Sequence, residues 1–176
     1  MLKWNFFKSK DLNLSPIDFS LIKTDLHSHL IPAIDDGPET LETSVKIIKT
    51  LRQLGFKKLI TTPHVMSDYY KNTTEGILNG LKSLQQEVKR HNINVQIEAA
   101  AEYYVDYEFE QKIGKEKFLT FGDKYILIEL SFIEAPKSLY EVIFKLQLEG
   151  YQVVLAHPER YDYFQIKDYN NLFFFH

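Results

Sequence analysis

Short apolar segments alternate with segments of helical periodicity along most of this chain, and this alternation constrains its fold more than any other feature. Several of the apolar segments are nearly continuous, as expected of strands buried on both faces of a sheet. The sequence predicts an α/β fold whose parallel sheet is covered on both sides or rolled into a barrel. The predicted strands span residues 21–26, 57–62, 95–101, 125–130 and 152–156, and the predicted helices span residues 38–54, 74–91 and 138–149.

Composition and charge narrow the class of protein. The 176 residues suffice for one domain with a sizeable core, and a net charge of −3 without a basic face argues against nucleic acid as the main partner. No apolar stretch approaches the roughly 18 residues that span a bilayer, and no secretory signal is evident, so we expect a cytoplasmic protein. Because there are no cysteines, any metal must be held by nitrogen and oxygen ligands. We interpret residues 1–20 as an N-terminal extension and residues 21–176 as the functional domain.

Histidines and glutamates occur where the predicted strands end. In a parallel β/α scaffold the C-terminal ends of all strands lie on one face, so side chains far apart in sequence converge there. Side chains on a strand alternate with period two, so a His-x-His pair directs both rings to the same side. The six side chains expected to converge are His27, His29, His64, Glu102, Glu129 and His157.

This mixture of imidazoles and carboxylates predicts a site for two or three divalent ions. Imidazole suits zinc, iron, nickel and copper, and carboxylates also accept manganese and magnesium. Such ions lower the pKa of bound water to around 7 and stabilise the oxygens of a displaced group. Phosphate-ester hydrolysis is the chemistry that fits this arrangement best.

Several of these residues also admit simpler interpretations. Asp36 either caps the following helix in a capping box with Glu39 or binds an ion, and we favour ion binding. Glu129 is either a ligand or a buried acid paired to a lysine, and His64 is either a ligand or a loop histidine. Arg160 is either a surface cation or a bidentate clamp on phosphate, and its position after His157 favours the clamp.

Other candidates are expected to lie outside the site. His91 ends a predicted helix, where a cation is favoured, and His176 is the last residue. The aromatic residues that follow Glu102 are more typical of core or surface positions, although the tyrosines also offer an aromatic pocket. These aromatic residues are Tyr103, Tyr104, Tyr107 and Phe109.

Six sequence blocks, in order over roughly residues 20–165, resemble one protein family. The blocks are Asp25-Leu26-His27-Ser28-His29, Asp35-Asp36-Gly37-Pro38, Thr62-Pro63-His64, Ala101-Glu102-Tyr103-Tyr104, Leu127-Ile128-Glu129-Leu130-Ser131 and Ala156-His157-Pro158-Glu159-Arg160-Tyr161. Together they are similar to the PHP (polymerase and histidinol phosphatase) superfamily. The Asp-Asp-Gly-Pro block is typical of its branch of bacterial protein-tyrosine phosphatases of capsular and exopolysaccharide biosynthesis.

The resemblance implies a distorted TIM-like (β/α)7 barrel that holds up to three metal ions, manganese first, with iron, zinc or magnesium as alternatives. It implies phosphotyrosine in a bacterial tyrosine kinase as substrate, hydrolysed by a metal-activated water, with Asp36 and Arg160 as catalytic residues and Arg160 on the phosphate. The implied ligands are His27, His29 and Glu102 for one ion, His64 and His157 with shared Glu102 for the second, and Asp36 and Glu129 for the third.

The sequence departs from the family pattern at its C-terminal end. The family's late Asp-x-His motif has no counterpart after His157, and about five of seven strands are predicted. We therefore expect an incomplete barrel, truncated at the C-terminus, whose open edge favours association into a homo-oligomer. Two alternative functions remain open: a PHP phosphoesterase for a small monoester such as histidinol phosphate, or a non-catalytic remnant that binds a partner.

Overall fold

The computed structural model describes residues 18–165 as a parallel α/β structure. Its strands are β1 (Thr24–Ser28), β2 (Lys58–Thr61), β3 (His64–Val65), β4 (Gln96–Ala99), β5 (Glu102–Tyr104), β6 (Tyr125–Glu129) and β7 (Gln152–Leu155). Its helices are α1 (Leu41–Gln53), α2 (Thr74–Arg90), α3 (Tyr107–Lys112), α4 (Leu139–Leu148) and α5 (Asp162–Gln165), with a 3-10 helix at Pro158–Arg160. The α/β class predicted from the sequence is confirmed.

The strands form two parallel sheets that are joined along the chain. We call a strand, or two consecutive strands separated by a short break, one pass of the chain. One sheet has the order β1-β2-β4, and the other has the order β3-β5-β6-β7. The β2 pass continues into β3 and the β4 pass into β5, and the backbone bonds Ala100 N–H to Thr61 O (2.9 Å) and Glu102 N–H to Pro63 O (3.0 Å) join the two passes across the breaks. The five predicted passes are therefore present in linear order, with β1 and β7 at the two ends of the described array.

The helices bury the faces that their periodicity predicts. Ile77, Leu84 and Val88 of α2 are buried, as are all four predicted inward positions of α4, and both sets join one hydrocarbon core with the strands. This packing attaches the helices to the strands, and polar side chains gather where the strands end.

The start of α1 differs from the prediction. The helix begins at Leu41, and its N-cap is Thr40, whose hydroxyl accepts from Thr43 N–H at 3.2 Å. The alternative interpretation of Asp36 and Glu39 as a capping box therefore does not hold. A threonine immediately before the first helical turn satisfies the free N–H groups, and Asp36 belongs to a turn that precedes it.

The first strand also differs from the prediction. It begins at Thr24, because Lys23 has a left-handed φ of 64° and the preceding residues form a turn. Its pairing with β2 shifts register between Asp25 and Ser28, so β1 carries one extra residue there. A bulge of this kind changes the direction of the side chains near it. His27 lies inside the strand and His29 lies one residue beyond its end.

Five short elements were not predicted, and two of them are the 3-10 helix at Pro158–Arg160 and the four-residue helix α5. Strands β3 and β5 have two and three residues, too few for a period to be visible. Helix α3 has six residues, and its N-cap Asp106 accepts from Phe109 N–H at 2.8 Å.

Some predictions fall at the chain termini. Residues 1–17 and 166–176, including His176, lie outside the described residues, so most of the predicted extension cannot be compared. Its last part does pack on the domain, because Phe19 stacks on Phe56 with ring centroids 4.9 Å apart. Among residues 18–165, no helix combines the length and apolar character needed to cross a bilayer.

Candidate metal centre

All six side chains that were expected to converge come together where strands β1, β2, β4, β6 and β7 end. His64 of β3 is registered with Glu102 of β5, which is registered in turn with Leu127 of β6, and Glu129 ends that strand. The remaining three are the histidines of β1 and of the turn after β7. One compact cluster therefore collects side chains from positions 27 to 157.

Glu102 lies at the centre of the cluster and is completely buried. Its Oε1 lies 3.0 Å from His157 Nε2 and 3.5 Å from His27 Nε2. Its Oε2 lies 3.3 Å from His29 Nε2 and 3.2 Å from His64 Nδ1. One carboxylate thus faces four imidazoles with both oxygens, an arrangement suited to bridging two cations.

Several buried polar atoms of the cluster have no hydrogen-bond partner among the described residues. They are His64 Nδ1, His157 Nδ1 and Glu102 Oε2, and Asp25 Oδ2 beneath the cluster is another. Buried polar atoms are nearly always satisfied, so a group of unsatisfied ones in one place points to a missing ligand. Their nitrogen and oxygen chemistry fits divalent metal ions.

Within residues 18–165, three sets of side chains have the geometry to hold an ion, with the potential ligand atoms of each set within 4.8 Å of one another. The sets are His27–His29–Glu102, His29–Asp36–His64 and His64–Glu102–Glu129. His157 joins the cluster through Glu102 and also lies 3.5 Å from Glu129 Oε1. The overlapping sets share ligands, as expected of a polynuclear site.

Two rings of the cluster are oriented by groups behind them. His27 Nδ1 lies 2.6 Å from the hydroxyl of Thr62, and His29 Nδ1 lies 2.7 Å from Asp35 Oδ2. With Nδ1 engaged in each ring, Nε2 faces Glu102. Such outer contacts fix ring orientation and raise the basicity of a metal-binding imidazole.

Asp35 and Asp36 have different positions at the site. Asp35 has a fully buried side chain and accepts from the backbone N–H groups of Gly37 (3.0 Å) and His64 (3.1 Å). Asp36 is 63% exposed at the rim, with Oδ1 3.6 Å from His29 Nδ1 and 3.5 Å from His64 Nε2. The sequence pattern was interpreted in favour of Asp36, and the orienting role of Asp35 was not predicted. The available signal was that an aspartate two residues before a glycine is typical of a turn.

The histidines have unequal pKa values. Burial would lower the pKa of His29, but the hydrogen bond to Asp35 and the close contact with the Glu102 carboxylate outweigh it and raise that pKa to about 10. Burial lowers the pKa of His27 and of His64 in spite of the charge on Glu102. His27 and His64 therefore favour the neutral form, which is the form that binds metals.

The two glutamates shift in opposite directions. Burial alone would raise the pKa of Glu102, but the close contact with His29 and the charges of the surrounding imidazoles hold it below the ordinary value. Burial, followed by the charge of Glu102, raises the pKa of Glu129 to about 7, and Arg160 opposes that rise. Two carboxylates this close both ionise only when positive charge is supplied to them.

Arg160 and two aromatic rings lie at the rim of the cluster. Arg160 is exposed, and its Cζ lies 4.5 Å from the ring centroid of Phe132. Tyr70 stacks on His64 with centroids 5.4 Å apart and an interplanar angle of 11°. His157 has a left-handed φ of 30°, an unusual conformation for a residue other than glycine, and the 3-10 helix that ends at Arg160 begins directly after it.

The remaining candidates lie outside the cluster. Tyr103 and Phe109 are buried and pack with Phe118, and Tyr107 is 76% exposed, so the core and surface interpretations hold for these aromatic residues. His91 is the C-cap of α2 and contacts Glu87 at 3.2 Å.

Comparison with known proteins identifies relatives. Residues 23–172 match the family described as capsular polysaccharide synthesis, CpsB/CapC. Tyrosine-protein phosphatase YwqE of Bacillus subtilis is 33% identical over 137 residues, which are 77% of this chain and 54% of that protein. Tyrosine-protein phosphatase CpsB of Streptococcus agalactiae serotype V is 27% identical over 139 residues, which are 78% of this chain and 57% of that protein.

A solved structure agrees with these matches. It comes from crystal structures of YwqE from Bacillus subtilis and CpsB from Streptococcus pneumoniae, described as unique metal-dependent tyrosine phosphatases. It superposes with a TM-score of 0.78 at 30% identity, covering 86% of this chain and 62% of that one. The chain spans about half the length of the curated relatives it matches. The family match extends over residues 23–172, which are most of the chain and include every side chain of the cluster. The chain therefore belongs to the CpsB/CapC family of PHP-type capsular polysaccharide synthesis proteins.

Proposed function

We propose that this chain carries the active site of a metal-dependent phosphatase that hydrolyses phosphotyrosine in proteins. The observation that carries the proposal is the position of Glu102, fully buried with four imidazole nitrogens within 3.5 Å of its oxygens. The relatives named tyrosine-protein phosphatases support the choice of substrate class.

The ligand assignment is the one that the family resemblance implies, and its first group coincides with one of the three overlapping sets of side chains. His27, His29 and Glu102 would hold one divalent ion, His64 and His157 with shared Glu102 a second, and Asp36 with Glu129 would contribute to a third. We propose two to three ions, manganese first, with iron, zinc or magnesium as alternatives. When bound, such ions supply Lewis-acid polarisation of phosphoryl oxygens and acidify water.

The chain's own residues bind and orient the substrate. Arg160 would donate two parallel hydrogen bonds to the phosphate from the rim of the cluster. The carboxylate of Asp36, which is 63% exposed, would accept the proton of the attacking water. The water oxygen bonds to phosphorus while the bond between phosphorus and the tyrosine oxygen breaks. Phenolate leaves and takes up a proton from solvent.

The proposal also includes the domain, the protein partner and the assembly. We propose that residues 21–176 form one domain, and the linear parallel order from β1 to β7 supports five consecutive passes of a (β/α)7 barrel. The proposed partner is a phosphotyrosine tail of a bacterial tyrosine kinase in the cytoplasm, with a homo-oligomer as the proposed assembly.

The test compares two substrates on one preparation. Phosphate release from a phosphotyrosine peptide is expected to exceed release from histidinol phosphate, to stop with chelator and to return with Mn²⁺. His29→Ala is expected to abolish turnover while circular dichroism stays unchanged, and His91→Ala serves as the matched control because His91 lies outside the cluster.

Three results would contradict the proposal. Activity that survives chelation would remove the metal from the mechanism. A strong preference for histidinol phosphate would favour a small-molecule phosphoesterase. Less than one ion per chain, with no turnover of either substrate, would favour the non-catalytic partner-binding protein.

A further inference from the structure

The loops that follow two neighbouring strands meet at the rim of the metal centre. Phe132 lies three residues after Glu129 of β6, and Arg160 lies three residues after His157, which follows β7. Arg160 Cζ lies 4.5 Å from the centroid of the Phe132 ring, within the range of a cation–π contact. The contact joins a loop residue without an assigned role to the proposed phosphate-binding arginine.

Phe132 is itself held from below, although 44% of its surface is exposed. Its ring stacks on Tyr161, with centroids 5.6 Å apart and an angle of 23°, and it packs against the ring of His157 at 5.9 Å. Tyr161 is fully buried, and its hydroxyl accepts from Leu130 N–H at 3.1 Å. The ring beneath Arg160 is therefore fixed to the end of β6.

A cation–π contact through the face of a guanidinium leaves its hydrogen-bond donors free. A guanidinium is planar and carries its five N–H donors in that plane, so a ring on its face does not compete for them. A long arginine side chain otherwise loses considerable rotamer freedom when it binds a ligand. A ring that restricts the guanidinium in advance reduces this entropic cost.

We propose that Phe132 is a positioning residue that holds the Arg160 guanidinium flat at the rim, with its N–H edge presented to a phosphate at the metal centre. This inference rests on the proposed function and deepens it. Phe132 acts through Arg160 and needs no contact with the reacting atoms. Its role requires an aromatic face, whereas a purely structural role would require only apolar volume.

The test measures binding of inorganic phosphate to the full Mn²⁺-loaded chain by titration calorimetry. Phe132→Leu, which keeps apolar volume, is expected to weaken binding about two- to fivefold, the range of an exposed cation–π contact. Phe132→Tyr, which keeps the aromatic face, is expected to bind as the wild type does. Phe144→Leu provides the matched control, since Phe144 is an exposed phenylalanine of α4.

A double-mutant comparison separates positioning from folding. In an Arg160→Gln background, Phe132→Leu is expected to cause no further loss, with the bound manganese per chain unchanged in every variant. Equal losses in both backgrounds, no loss in Phe132→Leu, or an equal loss in Phe132→Tyr would each overturn the inference while leaving the proposed function intact. Absence of phosphate binding by the wild type would overturn both.

Discussion

The two ends of one strand pass carry glutamates in opposite surroundings. Glu98 of β4, towards the N-terminal end, is 42% exposed and pairs with Lys58 at 2.8 Å. Glu102 of β5, at the C-terminal end of the same pass, is completely buried among imidazoles. Lys58 and the side-chain amide of Gln96 satisfy the first carboxylate, whereas the second has an oxygen without a hydrogen-bond partner among the described residues.

The difference shows how this fold divides stability from chemistry. An exposed ion pair contributes little to stability, and most of the folding free energy comes from hydrocarbon side chains such as Leu59 and Ile126. Buried charges without compensation are costly, so their concentration at the C-terminal end makes sense only if a ligand compensates them. Substitutions at the two ends are therefore expected to differ in kind as well as in size.

The largest effect is expected for Glu102→Gln. The substitution keeps the shape of the side chain but removes the charge that faces four imidazoles, so cations should no longer be held. We expect turnover of a phosphotyrosine peptide to fall roughly a thousandfold, since bound ions contribute several kcal/mol to the transition state. Metal content and turnover are measured together, with circular dichroism as the check on folding. Full retention of manganese by Glu102→Gln would contradict the claim that the two ends of the pass differ in metal binding.

A smaller effect is expected for Asp35→Asn. This change weakens the contact that orients His29, and we expect manganese affinity to fall roughly 10- to 100-fold, as for other outer contacts of metal ligands. Competition with a chelating dye measures the affinity, and Asp123→Asn at an exposed turn provides the control. Unchanged affinity in Asp35→Asn would show that the ring of His29 is oriented without it.

A pH-dependent effect is expected for Glu129→Gln in the metal-free chain. Because the pKa of Glu129 is raised from 4.5 to about 7, the folded state binds this proton more tightly than the unfolded state does. Its stabilising contribution is complete below pH 4.5 and is lost as the pH rises through 7. The variant should therefore gain stability relative to the wild type over that range, by about 3 kcal/mol.

Urea unfolding in the presence of chelator, at several pH values, measures this gain. A difference between variant and wild type that does not change with pH would mean that Glu129 keeps its ordinary pKa. Added manganese is expected to remove the gain, because cations compensate the same carboxylate.

The smallest effect is expected for Glu98→Gln. Loss of an exposed ion pair should change the free energy of unfolding by less than about 1 kcal/mol and leave manganese content and turnover unchanged. This variant is the matched partner of Glu102→Gln, since the same substitution is made at the other end of the pass. A loss of metal binding in Glu98→Gln would show that the two ends are not independent.

Sequence periodicity predicted most of the scaffold, for a physical reason. Helices α1, α2 and α4 each bury a regular apolar face, and the five strand passes are apolar segments of ordinary length. The convergence of His27, His64 and Glu102 followed from the rule that the C-terminal ends of parallel strands share one face.

The features that were missed depend on tertiary contacts. The extra residue in β1 is defined by its pairing with β2, and strands β3 and β5 exist only because each pairs with a neighbour. The hydrogen bonds that orient His27 and His29 come from Thr62 and Asp35, and no local pattern marks either as a ring partner. The first residues of β1 were misplaced because Leu21 and Ile22 are apolar yet exposed.

The most direct test of the central claim is the number of manganese ions bound per chain after loading and desalting, measured by mass spectrometry. The overlapping sets of ligands predict at least two ions per wild-type chain, and they predict that His64→Ala, which removes a ligand shared by two sets, binds fewer. Less than one ion per folded wild-type chain would contradict the claim that these buried side chains are assembled to hold cations.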